Sequence, residues 1–156
     1  MNPEALFAKL FEYDYWGNCE VLASLGTVAA SAERPQQLFN HIIGAQRIWL
    51  ARFTNPNPAD VQPWPAITQE DCRAAVDELH GRWRAILGGM TPEQWTGNLT
   101  YLNTKGVEFT TPIQDVLMHL LLHSAYHRGQ VAAAVREAGG KSAATDYIVY
   151  VRKNPQ

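Results

Sequence analysis

Apolar residues recur every three or four positions along four long stretches of this chain, a spacing that places them on one face of an α-helix. The first stretch predicts a helix from Pro3, a favoured first helical residue, to about Leu25, just before Gly26. The second predicts a helix from Pro35 to about Phe53. Each of these helices would present an apolar stripe to a common core.

The second half of the chain carries the other two helical patterns. The third predicted helix runs from Thr68, where a capping box begins, to about Leu87. The fourth runs from Pro112, with Thr111 as its N-cap, to about Ala138. A pair of glycines follows each of them, and glycine favours helix termination.

Three segments outside the helices follow other patterns. Residues 54–65 form a proline-rich connection that cannot be helical, and residues 98–110 alternate around Asn103–Gly106 as a β-hairpin does. Residues 146–151 are β-prone and are expected to pack across the helices. The pattern predicts an all-α fold, a four-helix bundle with a small β-hairpin before the last helix, in one domain over residues 1–156. Because two connections are long, neighbours in sequence need not be neighbours in the bundle.

Composition and charge narrow the classes of function. Apolar residues make up 46% of the chain and charged residues 18%, which is typical of a folded globular protein. The formal net charge is −2 without a basic run, so binding to nucleic-acid phosphates is not expected. No apolar stretch approaches the roughly 18 residues of a membrane span, and the first residues lack a signal-peptide pattern. Cys19 and Cys72 show no Cys-x-x-Cys spacing, which favours a reducing cytoplasm over a disulfide.

The candidate chemistry lies in the last predicted helix, where His119, His123 and His127 follow one another at four-residue spacing. Two imidazoles one helical turn apart can point at the same metal ion. The rise from His119 to His127 is about 12 Å, which is too long for two metal–nitrogen bonds of about 2.1 Å to one ion. At most one adjacent pair can therefore bind a given metal, and any further ligand must come from another helix.

The other two histidines offer one such ligand. His41 lies within the apolar stripe of the second predicted helix and is expected to face the interior, whereas His80 lies beside the stripe of the third and looks solvated. A single interior histidine more often donates a hydrogen bond to a backbone carbonyl than it binds metal. An interior histidine on one helix together with an interior pair on another favours a metal site.

Two segments of the chain also resemble a known family. Residues Leu38–Arg52, which contain His41, and residues His119–Gln130, which end in His-Arg-Gly-Gln, resemble the signature segments of the DinB family of metalloproteins (DinB/YfiT-like). The hairpin from Tyr101 to Phe109 and the tail at Thr145–Tyr150 are similar to that family as well. The resemblance extends over essentially the whole chain, and the His-Arg-Gly-Gln segment is its most specific part.

The resemblance implies a four-helix bundle in which three histidines hold a divalent metal. Carried over by position, the ligands would be His41, His123 and His127, and His119 would have a core or supporting role. Zinc or nickel suits imidazole ligands, and three neutral histidines leave an open coordination position, as in catalytic zinc sites. No catalytic residue beyond these ligands is assigned.

Two functions remain open for such a site. The first is a metal-dependent enzyme acting on a small molecule, either a transferase that uses a low-molecular-weight thiol, as the resemblance suggests, or a hydrolase. The second is a non-enzymatic metal-binding stress-response protein, in which the metal only holds helices together. A homodimer is expected from the resemblance, and tryptophans that one small core cannot accommodate point the same way: Trp16, Trp49, Trp64 and Trp95.

Three residues that follow or adjoin the last histidine have structural and functional interpretations. Arg128 is expected to pair with a carboxylate on another helix rather than with an anionic substrate. Gly129 lies in mid-helix, where close approach of a neighbouring helix would explain it. Gln130, three residues after His127, either orients that imidazole or makes a surface hydrogen bond.

Overall fold

The computed structural model describes residues 2–55 and 61–154. This part of the chain contains six helices and one antiparallel pair of strands, in the order α1 Pro3–Leu25, α2 Glu33–Thr54, α3 Gln69–Gly89, α4 Pro92–Trp95, β1 Asn98–Leu102, β2 Glu108–Pro112, α5 Ile113–Glu137 and α6 Tyr147–Lys153. The predicted all-α fold, with a small β-hairpin before the last long helix, is confirmed. Part of the predicted proline-rich connection, residues 56–60, lies outside the described residues.

Two of the helix starts have the caps that the sequence predicts. The side chain of Asn2 accepts a hydrogen bond of 2.8 Å from the backbone N–H of Ala5, and Pro3 is the first residue of α1. Thr68 likewise accepts from the backbone N–H of Asp71, at 3.2 Å, before α3. Each cap satisfies a backbone donor that the helix itself leaves unpaired.

The four long helices form a ring in which α1 and α2 are diagonal, because α1 packs mainly on α3 and α5 while α2 packs on the same two helices. Along the α2–α5 contact, His41 lies beside His127 and Trp49 lies beside His119. The sequence numbers rise on one helix as they fall on the other, so α2 and α5 are antiparallel. α3 and α5, which the long hairpin connection joins, are the other diagonal pair of the ring. The crossover that this connection permits is therefore present.

The α1–α5 contact has the opposite polarity. Asp14 pairs with Arg128, and Thr27, just after the end of α1, accepts a hydrogen bond from the backbone of Lys141, just after α5. Residue numbers increase in the same direction along both segments, so α1 and α5 are parallel. The chain between these two helices includes α2, α3 and the hairpin, so it is long enough to return to the same end of the bundle.

Aromatic and aliphatic side chains from all four long helices form one core. Trp83 of α3 lies at its centre, with its ring 5.3 Å from that of Phe11 and 5.4 Å from that of Phe53. Each fully buried large apolar side chain stabilises the fold by roughly 1.5–3 kcal/mol. The most deeply buried apolar members are Phe39, Leu25, Ile42, Ile43, Leu50, Leu117, Val21, Val116, Val131 and Val135.

The start of the last long helix differs from the sequence prediction. Thr111 belongs to β2, where it is paired with Leu99 of β1, and the N-cap of α5 is Pro112 without a side-chain hydrogen bond. Strand pairing holds Thr111 in the sheet, so it does not cap the helix. The second helix also begins at Glu33, two residues before the predicted Pro35.

The tail was expected to be extended, and the structure shows a helix instead. Residues Tyr147–Lys153 form α6, in which Tyr147 and Tyr150 lie three positions apart. Their rings pack on that of Tyr13, at 5.1 and 5.7 Å between centroids. Helical spacing brings both rings to the same face, and this contact with α1 outweighs the β-propensity of the segment.

None of the described helices is both long enough and apolar enough to cross a lipid bilayer. Cys19 on α1 and Cys72 on α3 are free thiols. The chain therefore owes its described fold to packing and not to a disulfide.

Candidate metal centre

Three imidazoles from two helices meet at one point between α2 and α5. His41 of α2 lies with its ring centroid 5.1 Å from that of His123 and 4.6 Å from that of His127, and the two α5 rings are 4.4 Å apart. One nitrogen from each ring can be chosen such that all three lie within 4.8 Å of one another. The structure thus brings together the three residues singled out by the resemblance.

Helix geometry explains why these rings converge. The four-residue spacing of His123 and His127 places both on one face of α5. That face lies against α2, where His41 is flanked by the buried residues Asn40 and Ile42. All three histidines are half-buried, so the cluster lies at the edge of the core and remains within reach of solvent.

The segment after α2 fixes the orientation of His41. Its Nδ1–H donates to the carbonyl oxygen of Pro63 at 2.8 Å, and its ring stacks on that of Trp64 with centroids 3.9 Å apart and planes 11° apart. This segment lies directly on Gly44, because a Cβ there would be 2.5 Å from the same Pro63 oxygen and 2.8 Å from Cδ of Pro65. A glycine in α2 therefore allows the segment to come close enough to hold the imidazole.

The other two imidazoles differ in their partners. Nδ1 of His127 lies 2.7 Å from Oε1 of Gln130, so Gln130 orients this imidazole. With Nδ1–H donating in both His41 and His127, Nε2 is the unprotonated nitrogen of each neutral ring. Among the residues that the structure describes, none forms a hydrogen bond with the side chain of His123. Its ring packs against the rings of the neighbouring histidines.

The surroundings keep the two α5 histidines neutral. Burial, and then the neighbouring imidazoles, lower the pKa of His123 to about 4. Burial also lowers the pKa of His127, against the opposing effect of its hydrogen bond to Gln130. A neutral imidazole is the form that binds metal, so His123 and His127 are in the form that can accept a cation at neutral pH.

The remaining two histidines lie outside the cluster. The ring of His119 packs against Trp49 at 5.6 Å and against His123 at 5.6 Å, but His119 is not among the groups whose atoms converge. His80 was expected to be solvated, and this was wrong: it is half-buried, stacked on Tyr15 at 4.0 Å. Its position beside the apolar stripe of α3 gave no sign of this aromatic partner.

Arg128 points away from the cluster into the contact between α5 and α1. It is fully buried and pairs with Asp14 of α1. The prediction that Arg128 pairs with a carboxylate on another helix is thus confirmed. Asp14 is also bonded to Gln46 of α2 at 2.7 Å, so the pair links three helices. The expectation for Gly129 was wrong, because no atom lies within 4 Å of the position that its Cβ would take.

A groove of about 730 Å³ opens beside the cluster, between the first half of α2 and residues 64–68. Trp64 lines this groove and also stacks on His41, with half of its surface exposed. Arg34 lines the groove too, and its charge contributes to the lowered pKa of His127. A small molecule in the groove would therefore lie beside Arg34 and beside Trp64, whose ring separates the groove from His41.

Sequence reasoning missed Pro63, Trp64 and Gly44 as parts of the site. The proline-rich character of residues 54–65 indicated a connection, but the helical periodicity of α2 gave no reason to pair Gly44 with it. The available signal was the combination of a glycine inside a strongly helical stripe with Pro-Trp-Pro shortly after that helix. Such a combination predicts close packing of a loop on a helix.

Comparison with known proteins agrees with the geometry. The sequence profile of the DinB family matches residues 27–156, which include all three clustered histidines. The chain is also similar to Protein DinB of Bacillus subtilis (strain 168), with 26% identity over 158 aligned positions that cover 92% of each chain.

Proposed function

This chain belongs to the DinB family, and on that premise we propose that His41, His123 and His127 hold one divalent cation, zinc or nickel, at the centre of a metal-dependent enzyme. The reaction we propose is transfer to or from a low-molecular-weight thiol, with a small molecule as the other substrate. Hydrolysis of a small molecule is the alternative chemistry for the same centre.

The convergence of three imidazoles from two helices carries this proposal. A tetrahedral ion with bonds of about 2.1 Å holds its nitrogen ligands about 3.4 Å apart. The three nitrogens already lie within 4.8 Å of one another, so small side-chain rotations suffice to close the site. Among the described residues, no cysteine or carboxylate joins the group, which leaves a coordination position for another ligand.

The surrounding residues prepare the site for an incoming ligand. Pro63 and Gln130 hold a proton on Nδ1 of His41 and His127, which leaves Nε2 of each ring as the nitrogen that can bind a cation. When bound, a divalent cation supplies a Lewis-acidic position that favours an anionic ligand such as a thiolate. The adjoining groove is lined by one cation, Arg34, and one carboxylate, Glu33, so the preference for an anionic ligand rests on the metal ion.

The groove supports an enzyme over a purely structural metal. Structural zinc sites are closed by four protein ligands, whereas catalytic sites keep one position for water or substrate. Here the half-buried cluster adjoins a groove large enough for a small molecule, with Trp64 on its wall. A metal that only held α2 to α5 would not need this access.

The thiol chemistry can be tested with protein purified without an affinity tag and loaded with Co²⁺. Adding low-molecular-weight thiols is expected to produce a sulfur-to-metal charge-transfer band, and His127→Ala is expected to abolish it. A fully loaded protein whose spectrum no thiol changes would contradict the transferase proposal. Hydrolysis or a structural metal would then explain the site better.

We also propose that the protein is a homodimer that uses an exposed stripe of α5. Met118, Leu122 and Tyr126 lie four positions apart on this helix, and Leu122 and Tyr126 are 63% and 64% exposed. Large apolar side chains that share one open helix face favour association. The tryptophans give weaker support than expected, because Trp95 is buried against Phe7.

A further inference from the structure

Arg52 of α2 is a buried cation that has no counter-ion among the residues that the structure describes. Its side chain lies between two aromatic rings, with the guanidinium carbon 4.5 Å from the ring centroid of Trp49 and 4.8 Å from that of Tyr101. The residue is only 8% exposed, and its Nε is buried without a hydrogen-bond partner. Within residues 2–55 and 61–154, no carboxylate lies within ion-pair distance of it.

The contrast with Arg128 shows how unusual this is within the molecule. Arg128 is buried even more deeply, at 1% exposure, but Asp14 neutralises its charge. An unpaired charge costs free energy when it is removed from water, and burial accordingly lowers the pKa of Arg52. The two rings offset part of that cost through cation–π contacts with the faces of the guanidinium. They do not use its N–H donors, which lie in the plane of the group and remain available for an acceptor.

A row of side chains connects Arg52 to the three-histidine cluster. The ring of His119 lies 5.6 Å from that of Trp49 and 5.6 Å from that of His123. The positive charge of Arg52 contributes, after burial, to the lowered pKa of His119, so the two groups are electrostatically close. Arg52 is eleven positions after His41 on α2, a rise of about 16 Å along the helix axis. The anion that Arg52 lacks would therefore lie an extended small molecule's length from the cluster.

We infer that Arg52 binds a carboxylate or phosphate group of the small molecule whose other end lies at the three-histidine cluster. The inference rests on the proposed function for the substrate role and on Arg52 alone for the anion. Guanidinium binds such oxyanions with two parallel hydrogen bonds, an arrangement that lysine cannot make. The substrate class is thus an elongated anionic molecule, with its charged group toward the C-terminal half of α2.

The anion site can be tested without any metal. In the metal-free wild-type protein, acetate and inorganic phosphate are titrated separately while the ¹H–¹⁵N signal of the Arg52 Nε–H is followed, with Arg52→Lys used for its assignment. A saturable shift with acetate indicates a carboxylate site, and one with phosphate alone indicates a phosphate site. Arg82, an exposed residue paired with Glu78, is the control. No shift with either anion, or an equal movement of the Arg82 signal, would overturn the inference.

The link to the cluster needs a second measurement on the Co²⁺ protein. A series of ω-mercaptoalkanoic acids of increasing length is compared with mercaptoalcohols of equal length, with the charge-transfer band reporting binding. At the length that spans from the cluster to Arg52, the acid is expected to bind at least about tenfold more tightly than the alcohol. Arg52→Met and Arg52→Lys are expected to remove this preference while the alcohols bind as before.

The possible failures are distinguishable. If no length of acid is preferred over its alcohol, the substrate role of Arg52 is wrong even though the thiol chemistry stands. If no thiol gives a band and the Arg52 signal still shifts with acetate or phosphate, the proposed function fails and the anion site is upheld.

Discussion

The Nδ1 atom of His41 lies 2.8 Å from the carbonyl oxygen of Pro63, so the segment that follows α2 determines which nitrogen of this imidazole is free. A carbonyl oxygen can only accept, and Nδ1 must therefore carry the proton. Pro63 in turn can approach only because residue 44 is glycine. The orientation of the His41 imidazole thus depends on a glycine three residues further along α2.

Gly44→Ala is therefore expected to weaken metal binding. Its Cβ would lie 2.5 Å from the Pro63 oxygen, so the segment must move and His41 loses its acceptor. Loss of such a supporting hydrogen bond lowers metal affinity by about 10–100-fold. Competition with a chromophoric chelator measures the affinity.

Gly129→Ala is the matched control for Gly44→Ala, because nothing lies within 4 Å of its Cβ position. It is expected to leave the affinity unchanged and to stabilise α5 by up to about 1 kcal/mol. Equal affinities in the two variants would show that the segment does not position His41.

Replacing His123 with alanine is expected to abolish metal binding, because two histidines are too few to hold the ion. His119→Ala is the control on the same helix face and is expected to retain nearly full metal content, since His119 lies outside the converging group. Elemental analysis of untagged protein measures both. A similar loss in the two variants would mean that the wrong pair of α5 histidines has been assigned.

The metal-free protein is expected to lose stability as the pH falls from about 6.5 toward about 4. The pKa of His123 is lowered to about 4 in the folded state, by burial first and then by the adjacent imidazoles. In the unfolded chain a histidine titrates near about 6.5. Between these values the unfolded chain binds a proton that the folded protein does not. The free energy of unfolding therefore decreases as the pH is lowered through this interval.

Urea denaturation at several pH values, in the presence of a chelator, measures this dependence. His123→Leu removes the titrating group and is expected to flatten the curve over the same interval, although His127, whose pKa is also lowered, still contributes. Identical curves for the wild type and this variant would contradict the expectation.

Arg128→Met is expected to destabilise the fold by about 3 kcal/mol or more, because it leaves Asp14 buried without its cation. The control is Lys153→Met, which breaks the exposed pair with Glu20 and is expected to cost less than about 1 kcal/mol. Chemical denaturation measures both changes. Asn18 and Gln46 each donate a hydrogen bond to Asp14, and a small loss in Arg128→Met would show that these two bonds alone satisfy the carboxylate.

Light scattering at working concentration is expected to give the mass of a dimer. Leu122→Glu places a charge in the middle of the exposed stripe of α5 and is expected to give a monomer. Val107→Glu, at an exposed hairpin position, is the control and is expected to remain dimeric. A wild-type monomer would end the homodimer proposal.

Local signals in the sequence predicted the fold better than they predicted the details of the site. Asn2 and Thr68 could be assigned as caps because a cap is defined by residues within one turn. The helical tail was missed because its folding depends on Tyr13, more than a hundred positions away in the chain. Propensity describes the segment alone, and such distant packing overrides it.

The histidine pattern shows the same limit. Four-residue spacing established that His123 and His127 share a face, but only the fold shows that His41 lies opposite them. The glycines were the least informative residues. Gly44 accommodates a crossing segment and Gly129 faces open space, although both lie within a continuous helix.

The placement of the clustered histidines on α2 and α5 has a consequence for the order of assembly. His41 and His123 are 82 positions apart, so the ends of a very long loop must meet before the cluster exists. During synthesis the first imidazole emerges well before its partners, with α3 and the hairpin in between. We therefore expect a cation to bind after α5 has docked on α2 rather than to nucleate folding. In a refolding experiment, metal uptake is then expected to follow the docking of these two helices.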